Sequence, residues 1–325
     1  MHLTNHKLID WASEQIAGFG RKTIVARHRL HDLEFFSDAK LTEVLDNHPR
    51  NQLQAFTMGT NGSSFHEWQP VDIAGVSGQD MISAIKQGRL WFHVFQMQDT
   101  NAQYKQLLDQ LFCELSEFFP WLKPHNKSAT LILSSPTALV YYHADPQFNL
   151  LWHIRGEKRV WSYPAGDREL IDQEMLEDIF ASYADEEVPY KPEFDKKAKV
   201  FDLKPGDVIC WPLNSPHRVT NISAMNVSIS TVYENAESYR RKLVYSANRF
   251  FRQSCGIPLW STKETGASSY VKRTAFRLMR KAGAVPEPRR PAYVTQLRID
   301  PAAADGIQKI PDGPVMTEFS KRNLR

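Results

Sequence analysis

His143 and Asp145 stand two residues apart in the stretch VYYHADPQFNLLWHIRGEKRVWSYP, Val140 to Pro164. In an extended chain, residues i and i+2 project to the same face, so this imidazole and this carboxylate can reach one ion. A third donor, His217, follows LKPGDVICWPLNSP at the start of another strand-like run, HRVTN. A sheet that folds back on itself would bring His217 beside the His143/Asp145 strand. Two imidazoles and one carboxylate on one face suit non-haem Fe(II), because positions stay open for a co-substrate and O₂. Taken singly, a His in a strand is more often a core or surface residue than a ligand, and Asp145 before Pro146 suits a turn. The three together point to a metal.

Lys158 adds a second element of chemistry. It lies in RGEKRVWSYP, where Gly156 reads as a turn and the residues after it alternate as a strand, with Arg159 facing outward. Alone, Lys158 reads as a solvated turn residue. If it faces the same interior as the His/Asp pair, its buried ammonium needs an anion, and a dicarboxylate co-substrate would satisfy it.

The elements that must position these residues are short β-runs from Ala129 onward: ATLILSS, ALVYYHA, FNLLWHI, KRVWSYP, AKVFDL, DVICWP, HRVTN and NVSISTVYE, with a helical insert near 167–182. Short strands separated by Gly, Pro and Asp turns argue for a barrel or sandwich. Before them, residues 7–18 have helical periodicity, and KTIVARHRL, LQAFTMG and RLWFHVFQMQ read as strands. Ser37 or Asp38 and Ser77 are plausible helix caps, and Leu107, Leu108, Leu111, Phe112, Leu115, Phe118 and Phe119 line one face of a helix over 101–119. Two helical stretches, AESYRRKLVYSANRFFRQ and SSYVKRTAFRLMRKAG, follow the strands, and PEPRRPAYV opens an extended linker or arm. The expected organisation is an α/β N-terminal region over 1–128 bracing the barrel, a β core over 129–235, a helical region over 236–284 and an extended tail over 285–325.

Composition sets outer bounds. With 325 residues and 42% hydrophobic content the chain can bury a sizeable core. No apolar run approaches the roughly 20 residues of a membrane span, and the N-terminus has no signal layout, so a cytoplasmic protein is expected. Cys113, Cys210 and Cys255 are far apart and in no paired spacing, which suggests neither a disulfide framework nor a thiolate zinc site. From Glu237 onward basic residues outnumber acidic ones by about 18 to 7. Lys272, Arg273, Arg277, Arg280 and Lys281 fall around an apolar stripe of Val271, Phe276 and Met279, which suits a packed helix with a solvated basic face, or else a phosphate-binding surface.

HADPQFNLLWHIRGEKRVWSYP and KPGDVICWPLNSPHRV resemble the JmjC or cupin-type double-stranded β-helix of the Fe(II)- and 2-oxoglutarate-dependent oxygenases, and most of all the asparaginyl hydroxylase branch typified by factor inhibiting HIF. The shared order is His143, Asp145, Asn149, Gly156, Lys158 and Arg159, then Pro205, Gly206, Asp207, Val208, Pro212 and His217. The resemblance implies a mainly β fold with a jelly-roll core and flanking helices. It implies iron on His143, Asp145 and His217, the remote carboxylate of 2-oxoglutarate on Lys158, and Asn149 as a polar residue near the chelating end. It also implies dimerisation through the C-terminal helices and hydroxylation of a protein or peptide side chain. A small-molecule or nucleic-acid hydroxylase and a metal-binding cupin without oxygenase activity are the alternatives. This sequence departs from the pattern where a Thr is replaced by Val140 and a Tyr by Trp91, so His93, Tyr142 or Thr137 are candidate donors to the co-substrate, and Ser228 and Ser230 stand nearest to a late-strand Asn. Trp91, His93, Tyr142, Trp152, His153 and Trp211 are candidates for the barrel mouth, with Trp91, Trp152 and Trp211 as substrate contacts, although strands favour aromatics as core.

Overall fold

A computed structural model describes residues 6–62, 67–288, 293–311 and 313–317. Strand β1 (Ile9–Asp10) and helix α1 (Ser13–Gly18) precede β2 (Ile24–His28), α2 (Asp38–Asn47), β3 (Leu53–Thr57), β4 (Gln69–Asp72), α3 (Gly78–Gln87) and β5 (Leu90–Val94). Helices α4 (Met97–Thr100) and α5 (Ala102–Phe118) lead to β6 (His125–Ser134), β7 (Leu139–His143), β8 (Phe148–Ser162), α6 (Gln173–Phe180), β9 (Lys199–Leu203), β10 (Asp207–Cys210) and β11 (His217–Glu234). Helices α7 (Ala236–Cys255) and α8 (Ala267–Lys281) and the short strands β12 (Tyr293–Thr295), β13 (Leu297–Ile299), β14 (Ile307–Lys309) and β15 (Val315–Thr317) complete the chain. Helices start where short polar side chains accept from first-turn amides: Ser77 for α3, Asn101 for α5, Asp172 for α6 and Asn235 for α7.

Two long strands organise the barrel. The first half of β8 pairs with the second half of β11, from Phe148↔Tyr233 to Arg155↔Val227, and this pair is flanked by β10 and β6. The second half of β8 pairs with the first half of β11, from Glu157↔Ser223 to Ser162↔His217, and is flanked by β9 and β7. One strand pair therefore serves both facing sheets of a double-stranded β-helix, as expected for a cupin-type jelly roll. The sequence suggested that each long strand was two short ones. The chain does not reverse at Gly156 (φ +79°) or Ala224 (φ +51°); an irregularity in the register bends the pair from one sheet into the other.

The N-terminal strands continue the larger sheet on both sides, β2 against β10 and β5 against β6. Its outer face is packed with Phe92, Leu131, Leu133, Trp152, Val227 and Ile229 in one core with Leu107, Leu111 and Leu115 of α5. Each such side chain, withdrawn from water, stabilises the fold by roughly 1.5–3 kcal/mol. A separate cluster of Leu151, Val160, Leu203, Ile209, Trp211 and Val219, with Val140 packed against it, fills the barrel between the two sheets.

Two expectations for the C-terminal part are corrected. The chain after Val285 is not simply extended: β13 runs parallel to β4, β14 pairs with β13, and Ile299 is buried in the main core. Residues 289–292 of PEPRRPAYV lie outside the described residues. On α8, Phe276 is buried as expected, but Val271 and Met279 are exposed and Lys272 points inward, donating from Nζ to Asn248 Oδ1 (2.6 Å) and Ser261 O (2.5 Å). The face toward α7 is thus set by Ser269, Lys272 and Phe276, and the basic side shrinks to Arg273, Arg277, Arg280 and Lys281. Among the described residues no helix is long and apolar enough to cross a membrane, and the three cysteines are free.

Candidate metal centre

His143 ends β7 and His217 begins β11, and the two are direct cross-strand partners. Their ring centroids are 4.0 Å apart. Past His143 the backbone stays extended because Ala144 N donates to Glu186 O and Val188 N donates to Tyr142 O, and this carries Asp145 to the same place. Asp145 Oδ1 is 3.7 Å from His143 Nε2, and Oδ2 is 3.7 Å from His217 Nε2. The three donor atoms lie within 4.8 Å of one another.

The backbone also sets which ring nitrogens are free. A carbonyl only accepts, so His143 Nδ1 donates to Tyr141 O (2.8 Å) and His217 Nδ1 donates to Ser215 O (3.1 Å). Each Nε2 therefore faces Asp145, and in the neutral ring it carries the lone pair that a metal ligand requires. Burial, and then the neighbouring His143, push the His217 pKa down to about 3, so this imidazole stays neutral. Asp145 is oriented in turn: its Oδ2 accepts from Asn149 Nδ2 (3.0 Å), whose Oδ1 accepts from Ser230 Oγ (2.9 Å), and its carbonyl accepts from Asn214 Nδ2 (2.8 Å).

Lys158 faces the barrel interior and is 4% exposed. Its Nζ donates to Ser228 Oγ (2.9 Å), and among the described residues no carboxylate lies within ion-pair distance. Burial alone lowers its pKa to about 7. An ammonium so placed calls for an anion that arrives from solution. Buried nitrogens without partners add to this demand: His93 Nε2, Trp91 Nε1 and Trp211 Nε1. Burial, and then the neighbouring His143, push the His93 pKa down to about 3; Trp91 meets it edge-on (4.2 Å), and the Trp211 ring lies 3.9 Å from that of His217. Two imidazoles with Nδ1 committed to backbone carbonyls, one carboxylate, a buried unpaired ammonium and unused donors fit Fe(II) with a dicarboxylate.

The profile of the cupin-like domain matches residues 77–239, half of the chain. The chain belongs to the cupin-like domain family. This cupin-like chain is also similar in fold to Escherichia coli YcfD, with 12% identity over 84% of this chain and 68% of the other at a TM-score of 0.50. A structure of YcfD, a ribosomal oxygenase, in complex with cobalt and 2-oxoglutarate gives 11% identity over 85% and 68% at a TM-score of 0.50. No curated protein sequence matches the chain.

The cupin-like barrel brings His143, Asp145, His217, Asn149, Ser230, Lys158, His93, Trp91 and Trp211 to its interior, and leaves three of the expected residues elsewhere. Tyr142 donates its hydroxyl to Leu170 O (3.0 Å) and packs with Tyr163 on the outer side. The register between β7 and β11 shifts between Val140 and His143, so both of those face the barrel and Tyr142 cannot. Thr137 is exposed before β7. Trp152 alternates with Leu151 and His153 and so belongs to the core beneath α5, where its indole donates to Thr231 Oγ1 (2.9 Å). His153, expected at the mouth, is fully buried beside Ser228. Asn214 and Glu187 were not anticipated; Glu187 bridges His143 through its backbone, and its carboxyl is raised by burial, an effect His143 opposes. Only the left-handed turn at Asn214 (φ +65°) had a sequence signal, in LNSP.

Proposed function

We propose that this chain is an Fe(II)- and 2-oxoglutarate-dependent dioxygenase that hydroxylates a side chain of a protein or peptide. The observation that carries the reading is the pairing, in one barrel, of an inward two-His, one-carboxylate set with a buried ammonium that has no protein anion. His143 and His217 would hold the metal through Nε2 and Asp145 through its carboxylate; Lys158 would bind the remote carboxylate of the co-substrate. Bound together, Fe(II) and 2-oxoglutarate supply oxidative chemistry that decarboxylates the keto acid to succinate and places one oxygen of O₂ on a C–H bond. Asn149 and Ser230 keep Asp145 in the orientation that faces both imidazoles, and the Trp211 ring over His217 shields that ligand from water.

The order His143, Asp145, Asn149, Gly156, Lys158 supports a place near the asparaginyl hydroxylase branch. YcfD is named a ribosomal oxygenase, which makes ribosomal proteins the first substrates to test. Exposed Tyr270, Val271 and Leu278 on α8 support a homodimer through the C-terminal helices, and three free cysteines support a cytoplasmic setting. The test is mass spectrometry of a cell extract treated with the active and the His143→Ala protein. A gain of one oxygen on a peptide, coupled to succinate, is expected with the active form only; Asp145→Ala should be equally inactive. Succinate formation undiminished in either variant would sink the assignment.

A further inference from the structure

The hydrogen bonds around Lys158 have a forced direction. The carbonyl of Gly156 only accepts, so His153 Nε2, 2.8 Å away, carries a proton and donates to it. Burial holds the His153 pKa down to about 3, so the ring is neutral and Nδ1 offers a lone pair. The Ser228 hydroxyl, 3.1 Å from Nδ1, must donate there, and its oxygen is left to accept from Lys158 Nζ at 2.9 Å. The chain runs one way: Lys158 to Ser228 to His153 to the Gly156 carbonyl. His153 and Ser228 are 0% exposed. The far end is anchored, because the His153 carbonyl accepts from His28 Nε2 (3.0 Å) while His28 Nδ1 accepts from Leu30 N (3.0 Å).

We propose that Ser228 and His153 are positioning residues that hold the Lys158 ammonium at one depth in the barrel, where it meets the remote carboxylate of a dicarboxylic keto acid. The inference rests on the proposed 2-oxoglutarate dependence and adds two residues to it. One ammonium proton is committed to Ser228 and the others stay available to the lumen. A lysine stem fixed before the ligand arrives loses less rotamer freedom on binding than a free one. The Ser228 proton is committed to His153 Nδ1, so this hydroxyl acts through Lys158 and not as a direct donor to the ligand.

The test titrates Mn(II)-loaded full-length protein with 2-oxoglutarate by anaerobic calorimetry. Ser228→Ala should weaken 2-oxoglutarate about tenfold, Ser228→Thr should restore affinity to within about twofold, and Mn(II) affinity should stay unchanged in both. Adding Ser228→Ala to Lys158→Ala should weaken binding no further, since a residue that acts through Lys158 has nothing left to position. Ser228→Ala equal to wild type, or fully additive losses in the double variant, overturns the inference while leaving the dicarboxylate reading intact. Wild-type protein that binds Mn(II) but not 2-oxoglutarate overturns both. Nitrogen NMR of His153 is independent of ligand: the proton is expected on Nε2, and a proton on Nδ1 overturns the directed chain.

Discussion

Lys158 has an ordinary pKa of 10.5 lowered by burial to about 7, and this has a signed consequence. Below pH 7 the ligand-free side chain is already an ammonium, ready for a carboxylate. Above it the side chain is neutral, and binding a carboxylate must take up a proton, so affinity for 2-oxoglutarate should fall as pH rises past 7, by up to about tenfold per unit. The groups facing Lys158 do not blur this: His153 on the same strand stays neutral, and Ser228, Asn221 and Leu203 across the sheets carry no charge. A Lys158→Met variant should bind about 30-fold or more weakly, as losing a buried charged partner typically costs about 2–5 kcal/mol, and its affinity should be flat with pH. Titrations between pH 6 and 9 check both. The convergence of His143, Asp145 and His217 and the inward side of Lys158 were legible in the sequence because their types are rare in strands and their spacing is local or tied to turn residues. Ser228, His153 and Tyr142 were misplaced or left ambiguous because their direction depends on a strand irregularity, and a shift of one residue turns a side chain to the other face.

The strands were legible as apolar runs, but their continuity was not. Gly156 reads as a turn in sequence, and HRVTN and NVSISTVYE as separate strands, whereas in the fold Gly156 and Ala224 mark the bend where β8 and β11 pass together between sheets. A Cβ at Gly156 would lie 2.6 Å from Asn226 Nδ2, and its φ of +79° is one that L side chains rarely adopt. Gly156→Ala should therefore destabilise the protein by about 1–3 kcal/mol, read as a lower urea midpoint, and should also weaken 2-oxoglutarate, since the Gly156 carbonyl ends the chain that starts at Lys158. A variant of wild-type stability would mean that the bend has room to relax. The tail strands were missed for another reason: β12 to β15 are three residues each, too short for any periodicity to show.

At the scale of the whole molecule, buried neutral histidines tie stability to acid. His28 and His153 are both held at about 3, below the ordinary 6.5, so each binds its proton more readily in the unfolded chain. Their contribution is complete above about pH 6.5 and is lost as pH falls toward 3; at pH 5 the loss is on the order of 2 kcal/mol for each. Urea unfolding of metal-free protein should show a midpoint clearly lower at pH 5 than at pH 7. The exposed apolar face of α8 makes a second prediction: Leu278→Glu should shift sedimentation toward a monomer if the C-terminal helices join two copies. Finally, β11 is hydrogen-bonded to β6, β7 and β8 at once. During synthesis the smaller sheet of the barrel cannot close until the chain through Ser223 has left the ribosome, nor the larger one until the chain through Glu234 has. Half-made protein thus holds His143 and Asp145 without His217, and assembly of the three-donor set becomes a late event that waits on β11.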